Sequence, residues 1–237
     1  MEEVFSRTEQ LLGREKFQKL RRCHVMVLGA GGVGSHWVDA LAGAGVGRLT
    51  LVDSDRVAPS NINRQSIALL STVGRYKTEV MREKIRDICP DTQVECRETF
   101  VLPDNVDTLF EERPDYIVDA IDTVSAKIAV AEKAREYTIP LISSMGTGNK
   151  LHGELFQIGD LGETSVCPLC RVMRRELKKR GIEHLKVLYS TEKPIPPQAP
   201  EEGEDNGKRL PPGSISFVPP VAGLLIAGEV VRDLLEL

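Results

Sequence analysis

The chain has no long apolar run. Its most hydrophobic stretch, VAGLLIAG at Val221–Gly228, stops at Glu229, well short of the roughly 20 residues that span a bilayer. No hydrophobic leader is expected either, because MEEVFSRTEQ is polar and acidic. Positive charge is not in excess: 35 acidic residues face 31 basic ones, a net charge of −4. That excludes a globally basic nucleic-acid coat and leaves room only for a local basic patch. An even set of closely spaced cysteines is absent as well. The five present, Cys23, Cys89, Cys96, Cys167 and Cys170, suit a reducing cytosol and not a disulfide scaffold. Aromatics are scarce at 5%, and Phe156, Phe217 and Trp37 are expected to pack rather than stack on bases. The 4 histidines include His24, His36 and His152, which are expected in core or surface roles. What is present, 41% hydrophobic and 28% charged residues over 237 positions, builds a core and excludes wholesale disorder. From these features a cytoplasmic, non-membrane globular protein is expected.

Phe5–Arg22 has the spacing of a helix. HVMVLG, RLTLVD, QVECRE, DYIVDAID and IPLISSM read as five strands, with helices over Ser35–Ala44, Tyr76–Cys89 and Ser125–Tyr137 between them. Such alternation predicts an α/β, Rossmann-like fold: a mostly parallel sheet with helices on both faces. After Gly146 the texture changes. HGELFQIGDL suggests a further strand, Cys167–Arg180 a basic amphipathic helix, and Pro220–Leu237 a closing helix. Between them, Ser190–Pro212 carries six prolines and the acidic run EEGED, and is expected to be a disordered loop. The second half is too loop-rich for its own core. One domain over 1–237 is therefore expected, with a nucleotide-binding core at about 20–145 and a C-terminal, substrate-side elaboration at 146–237.

Gly29-Ala30-Gly31-Gly32-Val33-Gly34 is a GxGxxG turn between strand and helix. Gly29 permits the turn, Gly31 lets a phosphate approach the backbone, and Gly34 lets helix and strand meet. Asp53 follows Gly34 by 19 residues, at the end of the second strand, where a carboxylate accepts ribose hydroxyls. NAD and ATP both satisfy this much. Three features favour ATP. SNINRQ (Ser60–Gln65) sets Arg64 where a forked donor can hold a phosphate tail. Lys77 opens the next helix and can neutralise β- and γ-phosphate oxygens. DAID puts Asp119 and Asp122 at the carboxyl end of the fourth strand, where an acid can hold Mg²⁺.

In combination, GAGGVG, LVDSDRV, SNINRQ, VGRYKTEVM and DAID resemble the ThiF/MoeB/HesA superfamily of ubiquitin-activating-enzyme-like adenylating proteins. The resemblance covers most of the first 150 residues. It implies that ATP and Mg²⁺ activate a carboxylate as an acyl-adenylate. Gly29, Gly31, Gly32 and Gly34 would then form the nucleotide turn and Asp53 would hold the ribose. Arg64, Gln65 and Lys77 would hold the phosphates, with Asp55 and Asn61 completing the set, and Asp122 would be the magnesium acid. It further implies a homodimer in which Arg7, in FSRTEQ, reaches the γ-phosphate of the partner. Catalytic roles thus fall on Arg7, Arg64, Lys77 and Asp122.

The second half, through SSMGTGNK, PLCRVMRRELKKRGI, YSTEKP and PPGSISFVPPVAGL, resembles the tRNA threonylcarbamoyladenosine dehydratases. That implies activation of the threonyl carboxylate of a modified tRNA adenosine, ring closure by an internal nucleophile, and no catalytic cysteine. A sulfur-relay protein is a further partner the resemblance admits. In Arg171–Lys186 seven basic residues outnumber two acidic ones. Arg171, Arg174, Arg175 and Lys178 recur at helical spacing on one face, a candidate surface for tRNA phosphates. The departure lies at Cys167-Pro168-Leu169-Cys170, where the dehydratase pattern carries an acid before Pro-Leu and no second cysteine. One CxxC without further ligands cannot complete a zinc site in one subunit unless His184 or another group joins. Unpaired thiols, a redox pair at a helix N-terminus and a metal shared between subunits stay open. Two other activities compete: adenylation of a ubiquitin-like sulfur carrier, disfavoured by the missing second CxxC, and a non-catalytic nucleotide-binding scaffold.

Overall fold

The apolar runs pair as expected for strands covered on both faces. β1 (His24–Leu28) and β4 (Tyr116–Asp119) are buried at every position, and β2 (Arg48–Val52) at all but its first. The computed structural model describes residues 3–196 and 212–237; the rest of the proline-rich stretch predicted as a disordered loop, 197–211, lies outside the described residues. With β3 (Gln93–Arg97), β5 (Leu141–Ser144), β6 (Phe156–Asp160) and β7 (Lys186–Ser190), the strands form one seven-stranded sheet in the order β3-β2-β1-β4-β5-β7-β6. Every pairing is parallel except β6 with β7, which is antiparallel.

Alternate strand residues feed two cores, as a pleat of period two requires. Val25, Val27, Leu49 and Leu51 pack with α3 (Gly34–Ala44), α4 (Lys77–Ile88) and the C-terminal α8 (Val218–Leu235). Met26, Leu28 and Ile117 pack on the other face with α5 (Val106–Leu109) and α6 (Val124–Glu136), and α7 (Pro168–Lys178) extends that layer beyond α6.

Four expectations change. The N-terminal helix is two, α1 (Ser6–Leu12) and α2 (Arg14–Leu20), because the chain turns at Gly13 with φ +78°. β7 and α5 were not expected; β7 slots between β5 and β6 and takes Ser190 out of the predicted loop. The closing helix starts two residues early, with Pro219 and Pro220 in its first turn, where a missing N–H costs nothing. Trp37 and Phe156 are buried as expected, but Phe217 is 50% exposed at the head of α8.

At the carboxyl edge lies a fully buried ion pair. Lys127 Nζ, from α6, is 2.9 Å from Asp119 Oδ2, 3.0 Å from Ser143 Oγ and 2.8 Å from the Ser144 carbonyl. Ser143 Oγ donates to Asp119 Oδ2 at 2.6 Å, and Asp119 Oδ1 accepts the Ile121 N–H at 2.9 Å. Asp119 is therefore a structural anion locked to Lys127 and not a candidate for metal. Every strong partner is supplied, which is the condition for such a pair to persist in a core. Lys127→Met strands the Asp119 charge and is expected to cost about 3–5 kcal/mol of stability. Adding Asp119→Asn should recover most of it. A single-variant loss below about 1 kcal/mol in urea unfolding would show that the pair does not hold the edge together.

Candidate active site

The carboxyl ends of β1, β2, β4 and β5 open into a cavity of about 450 Å³. The chain leaves β1 for β2 on one side and β4 lies on the other, the switch point where open α/β sheets bind ligands. Gly29, Gly31, Gly32 and Gly34 form one wall. A Cβ on Gly34 would sit 1.9 Å from the Gly29 carbonyl oxygen, so strand end and helix start touch backbone to backbone. The N–H groups of Gly31, Gly32 and Val33 make no backbone hydrogen bond among the described residues. Free donors ahead of a helix are the arrangement that receives phosphate.

Asp53 follows β2 and also lines the cavity. Its Oδ2 accepts the Ala30 N–H at 2.7 Å and its Oδ1 the Asp55 N–H at 2.8 Å. Burial pushes its carboxyl pKa up, opposed by the Lys77 charge and these two N–H groups. Each oxygen keeps a lone pair for a hydroxyl donor. Lys77 Nζ lies 2.7 Å from Asp55 Oδ2, with its side chain 6% exposed against 64% for Asp55. A nearly buried cation whose counter-ion is a solvent-facing acid can exchange that acid for a phosphate oxygen.

The segment carrying Asn61, Arg64 and Gln65 is fixed by α3. His36 Nε2 lies 3.0 Å from the Arg64 carbonyl, and Ser66 N–H donates to Ser35 Oγ at 3.0 Å. Arg64 spends Nη1 on the Ser60 carbonyl and Asn63 Oδ1, leaving Nε and Nη2 as donors. Asn61 closes its own turn by accepting the Ala58 N–H at 3.0 Å. Gln65 is buried, and its Oε1 has no partner among the described residues. A buried amide oxygen without a donor, beside the glycine turn, points to a ligand that brings one.

Asp122 sits on the β4 side, exposed at the cavity wall. The lining also includes Ser144–Gly148, at the end of and after β5, and Pro212, Ser214 and Pro219 ahead of and within α8. Asn149 ties this part of the wall together. Its N–H donates to the Gly213 carbonyl at 2.7 Å, its Oδ1 accepts the Gly213 N–H at 2.6 Å, and its carbonyl accepts the Ile195 N–H at 2.9 Å. Asn63 Nδ2 adds a bond to the Ser214 carbonyl at 3.0 Å.

Thus every cavity residue expected from the sequence is gathered here, and the others are not. Arg7 is exposed on α1, outside the cavity of its own chain. Arg171, Arg175 and Lys178 are exposed on α7, whereas Arg174 corrects the expectation. Its Nη1 donates to the Leu161 carbonyl at 3.2 Å, the Thr164 carbonyl at 2.6 Å and the Thr164 hydroxyl, so it clamps a turn instead of facing solvent. Lys186, counted in the same basic run, is on β7 and paired with Glu229 and Asp233. Lys127 and His36 were missed, because a helical lysine reads as solvent-facing and nothing local links His36 to residue 64.

Fold and cavity together define a nucleotide-binding α/β protein of the adenylating type, and the chain belongs to the ThiF family, whose model matches residues 5–237. It is 43% identical to the tRNA threonylcarbamoyladenosine dehydratase of Bacillus subtilis, over 98% of this chain and 94% of that protein. It is 37% identical to the Escherichia coli enzyme of the same name, over 82% of this chain and 76% of that one. The crystal structure of the E. coli enzyme with AMP superimposes with a TM-score of 0.90 at 33% identity, covering 99% of this chain and 95% of that one. The same enzyme with ATP gives 0.89 at 32% identity, with the same coverage of both chains.

Gly34→Ala forces the turn open against the Gly29 carbonyl. It is expected to cost about 1–3 kcal/mol of stability and to abolish nucleotide-induced thermal stabilisation. A variant that still gains the wild-type shift with AMP would show that the turn is not the phosphate wall.

Proposed function

We propose that this chain is an ATP-dependent tRNA threonylcarbamoyladenosine dehydratase acting in the cytoplasm as one adenylating domain. The observation that carries the reading is the cavity: a free-donor glycine turn, a ribose-type carboxylate, and the cations Arg64 and Lys77 meet at one sheet edge. Near full-length similarity to dehydratases on both sides of the alignment supports the substrate. Among the described residues no helix is long and apolar enough to cross a membrane.

A carboxylate is a poor electrophile. In the proposed reaction the threonyl carboxylate oxygen attacks the α-phosphorus of ATP and pyrophosphate leaves. An internal nucleophile of the threonylcarbamoyl group then attacks the acyl carbon and AMP leaves, so one oxygen of the carboxylate departs with net loss of water. Asp53 accepts the ribose hydroxyls and the glycine turn cradles phosphate. Arg64 and Lys77 neutralise charge that develops on pyrophosphate, Lys77 exchanging Asp55 for a phosphate oxygen. Gln65 supplies an amide beside the turn. The second step is intramolecular, so proximity is built into the substrate and no protein nucleophile is required.

Among the described residues no cluster of three metal-ligating side chains exists. The exposed Asp122 carboxylate at the cavity wall fits the way Mg²⁺ binds, through one or two carboxylates with phosphate oxygens and water. Mg²⁺ held there would offset charge on the β- and γ-phosphates. Arg7, remote from its own cavity, is assigned to the γ-phosphate in the second subunit of a homodimer. On α7, Arg171 and Lys178 remain as exposed cations, while Arg175 and Lys179 share Glu176. This narrower face is assigned to tRNA phosphates; the chemistry of a sulfur-relay partner is not needed for the reaction.

The deciding experiment incubates tRNA carrying threonylcarbamoyladenosine with protein and ATP·Mg²⁺ and follows the nucleoside by mass spectrometry. Loss of water is expected. Arg64→Ala, Lys77→Ala and Asp122→Asn should each slow it by about 10²–10³, and Arg7→Ala should also abolish it. Mixing Arg7→Ala with Arg64→Ala subunits should restore part of the activity. An unchanged nucleoside sinks the function, and exchange of subunits without recovery sinks the role of Arg7 across the dimer.

For tRNA binding, Arg171→Ala with Lys178→Ala should flatten the slope of log K against log salt by about one per lost phosphate contact. Arg174→Ala should leave that slope alone and lower the melting temperature instead, because it releases the Thr164 turn. The reverse pattern would return Arg174 to the binding face and remove the other two.

A further inference from the structure

Arg64 lines the cavity, and its backbone is fixed, with its carbonyl on His36 Nε2 and its N–H on the Asn61 carbonyl at 3.0 Å. The direction of its guanidinium is set separately. Nη1 carries two N–H bonds, and two acceptors meet it, the Ser60 carbonyl at 2.7 Å and Asn63 Oδ1 at 2.9 Å. What remains is the Nε and Nη2 side, the planar fork that grips two oxygens of a phosphate. The Arg64 stem lies on the glycine turn. A Cβ on Gly32 would sit 3.6 Å from Arg64 Cγ and Cδ and 3.4 Å from Pro219 Cβ. The glycine turn, the cation beside it and the first turn of α8 therefore meet at Gly32.

Asn63 reaches a second partner. Its Nδ2 donates to the Ser214 carbonyl at 3.0 Å. Among the described residues this is the one hydrogen bond between the Ser60–Gln65 segment and residues 212–217. Residues 212–214 are otherwise seated on the loop after β5. Asn149 brackets Gly213 with its N–H and Oδ1, and a Cβ on Gly148 would overlap Pro212 Cβ at 2.6 Å. Pro212 and Ser214 line the same cavity as Arg64. Asn63 is itself exposed, so its two partners, and not packing, hold its amide. The chemistry of those partners calls for an amide. A guanidinium only donates and a carbonyl only accepts, so the side chain between them must accept at one end and donate at the other.

We propose that Asn63 is a positioning residue: it aims the open fork of Arg64 at the phosphate tail of a nucleotide, and it carries occupancy of that fork to the wall at 212–214. The proposal rests on the nucleotide-binding reading of the cavity. A phosphate held on Nε and Nη2 fixes the guanidinium plane, and with it the Nη1 edge against Asn63 Oδ1. The amide group is planar. Fixing its oxygen fixes the direction of Nδ2, so the Ser214 carbonyl gains a steady donor. The effect runs both ways, as coupling between two sites must. A wall seated on Asn149 holds Ser214, Ser214 holds the Asn63 amide, and Asn63 presents the fork. AMP lacks the β- and γ-phosphates and leaves the fork unused.

The test uses the purified full chain with ATP·Mg²⁺ or AMP, read by calorimetry and by hydrogen exchange. Asn63→Ala should bind ATP about tenfold more weakly, the scale of one hydrogen bond to a charged group, and bind AMP like the wild type. Asn63→Gln keeps an acceptor and a donor and should recover most of the loss. Without nucleotide, a peptide covering 212–217 should exchange faster in Asn63→Ala than in the wild type. At saturating ATP its exchange should slow in the wild type and not in Asn63→Ala. Unchanged ATP affinity in Asn63→Ala, an equal loss for ATP and AMP, or a Gln variant no better than Ala overturns the aiming of Arg64. Slowing that persists in Asn63→Ala at saturating ATP shows that the nucleotide covers 212–217 directly, and it overturns the link to the wall. Absence of slowing in the wild type overturns that link as well. Failure of the wild type to bind either nucleotide overturns the reading of the cavity and the aiming with it. Exchange of the nucleotide-free proteins then still decides whether Asn63 holds the wall.

Discussion

The buried contact between Lys127 and Asp119 sets the geometry on which the cavity depends. One ammonium group joins three elements: α6 through its own backbone, β4 through Asp119, and β5 through Ser143 and the Ser144 carbonyl. Parallel strands diverge at their carboxyl ends, where the ladder stops and the chain must leave for a loop. Here the two departing segments, Ala120–Thr123 and Met145–Gly148, both form part of the cavity wall. A hydrophobic clamp at the same point would hold the strands together without fixing their angular relation. Directional bonds to a single nitrogen fix both.

Around this anchor the cavity is assembled from backbone as much as from side chains. The glycine turn offers N–H groups, and Asp53 is itself oriented by two backbone N–H groups, one from Ala30 in the turn and one from Asp55. His36 holds the Arg64 carbonyl, so the segment bearing the phosphate cation moves only if α3 moves. Positive charge is concentrated locally despite the acid excess of the chain. On α7 and just past its end, part of it is already matched: Arg175 and Lys179 by Glu176, and Arg180 by Glu132 and Glu176. A count of charges along the chain overstates what solvent or a nucleic acid meets.

What could be read in the sequence was local. The glycine turn, Asp53, the SNINRQ segment, Lys77 and Asp122 each announce themselves within a few residues, and the alternation of apolar runs orders them along one sheet edge. What could not be read depends on partners distant in sequence. β7 is five residues long between a basic helix and a proline-rich stretch, and only its neighbours β5 and β6 make it a strand. Helical spacing assigned Arg174 to the solvent face, and the turn at Thr164 reclaimed it. Lys127 carries the spacing of an ordinary helical lysine; its burial follows from an aspartate on one strand and a serine on another. The break at Gly13 was missed although its signal is local: Phe5–Arg22 was read as one helix, and it divides where the turn needs a positive φ.

Asn149 receives the Ile195 N–H on its carbonyl and brackets Gly213 with its own N–H and side chain. The chain on either side of residues 197–211 is therefore pinned to a single asparagine. Closure entropy rises only by about 0.6 kcal/mol for each doubling of a flexible segment. The cavity wall at Pro212 and Ser214 is thus insulated from the length of what lies between the pins. With both anchors held on one residue, the connection between them can be shortened, exchanged or used to carry an inserted peptide while the nucleotide side of the site keeps its shape.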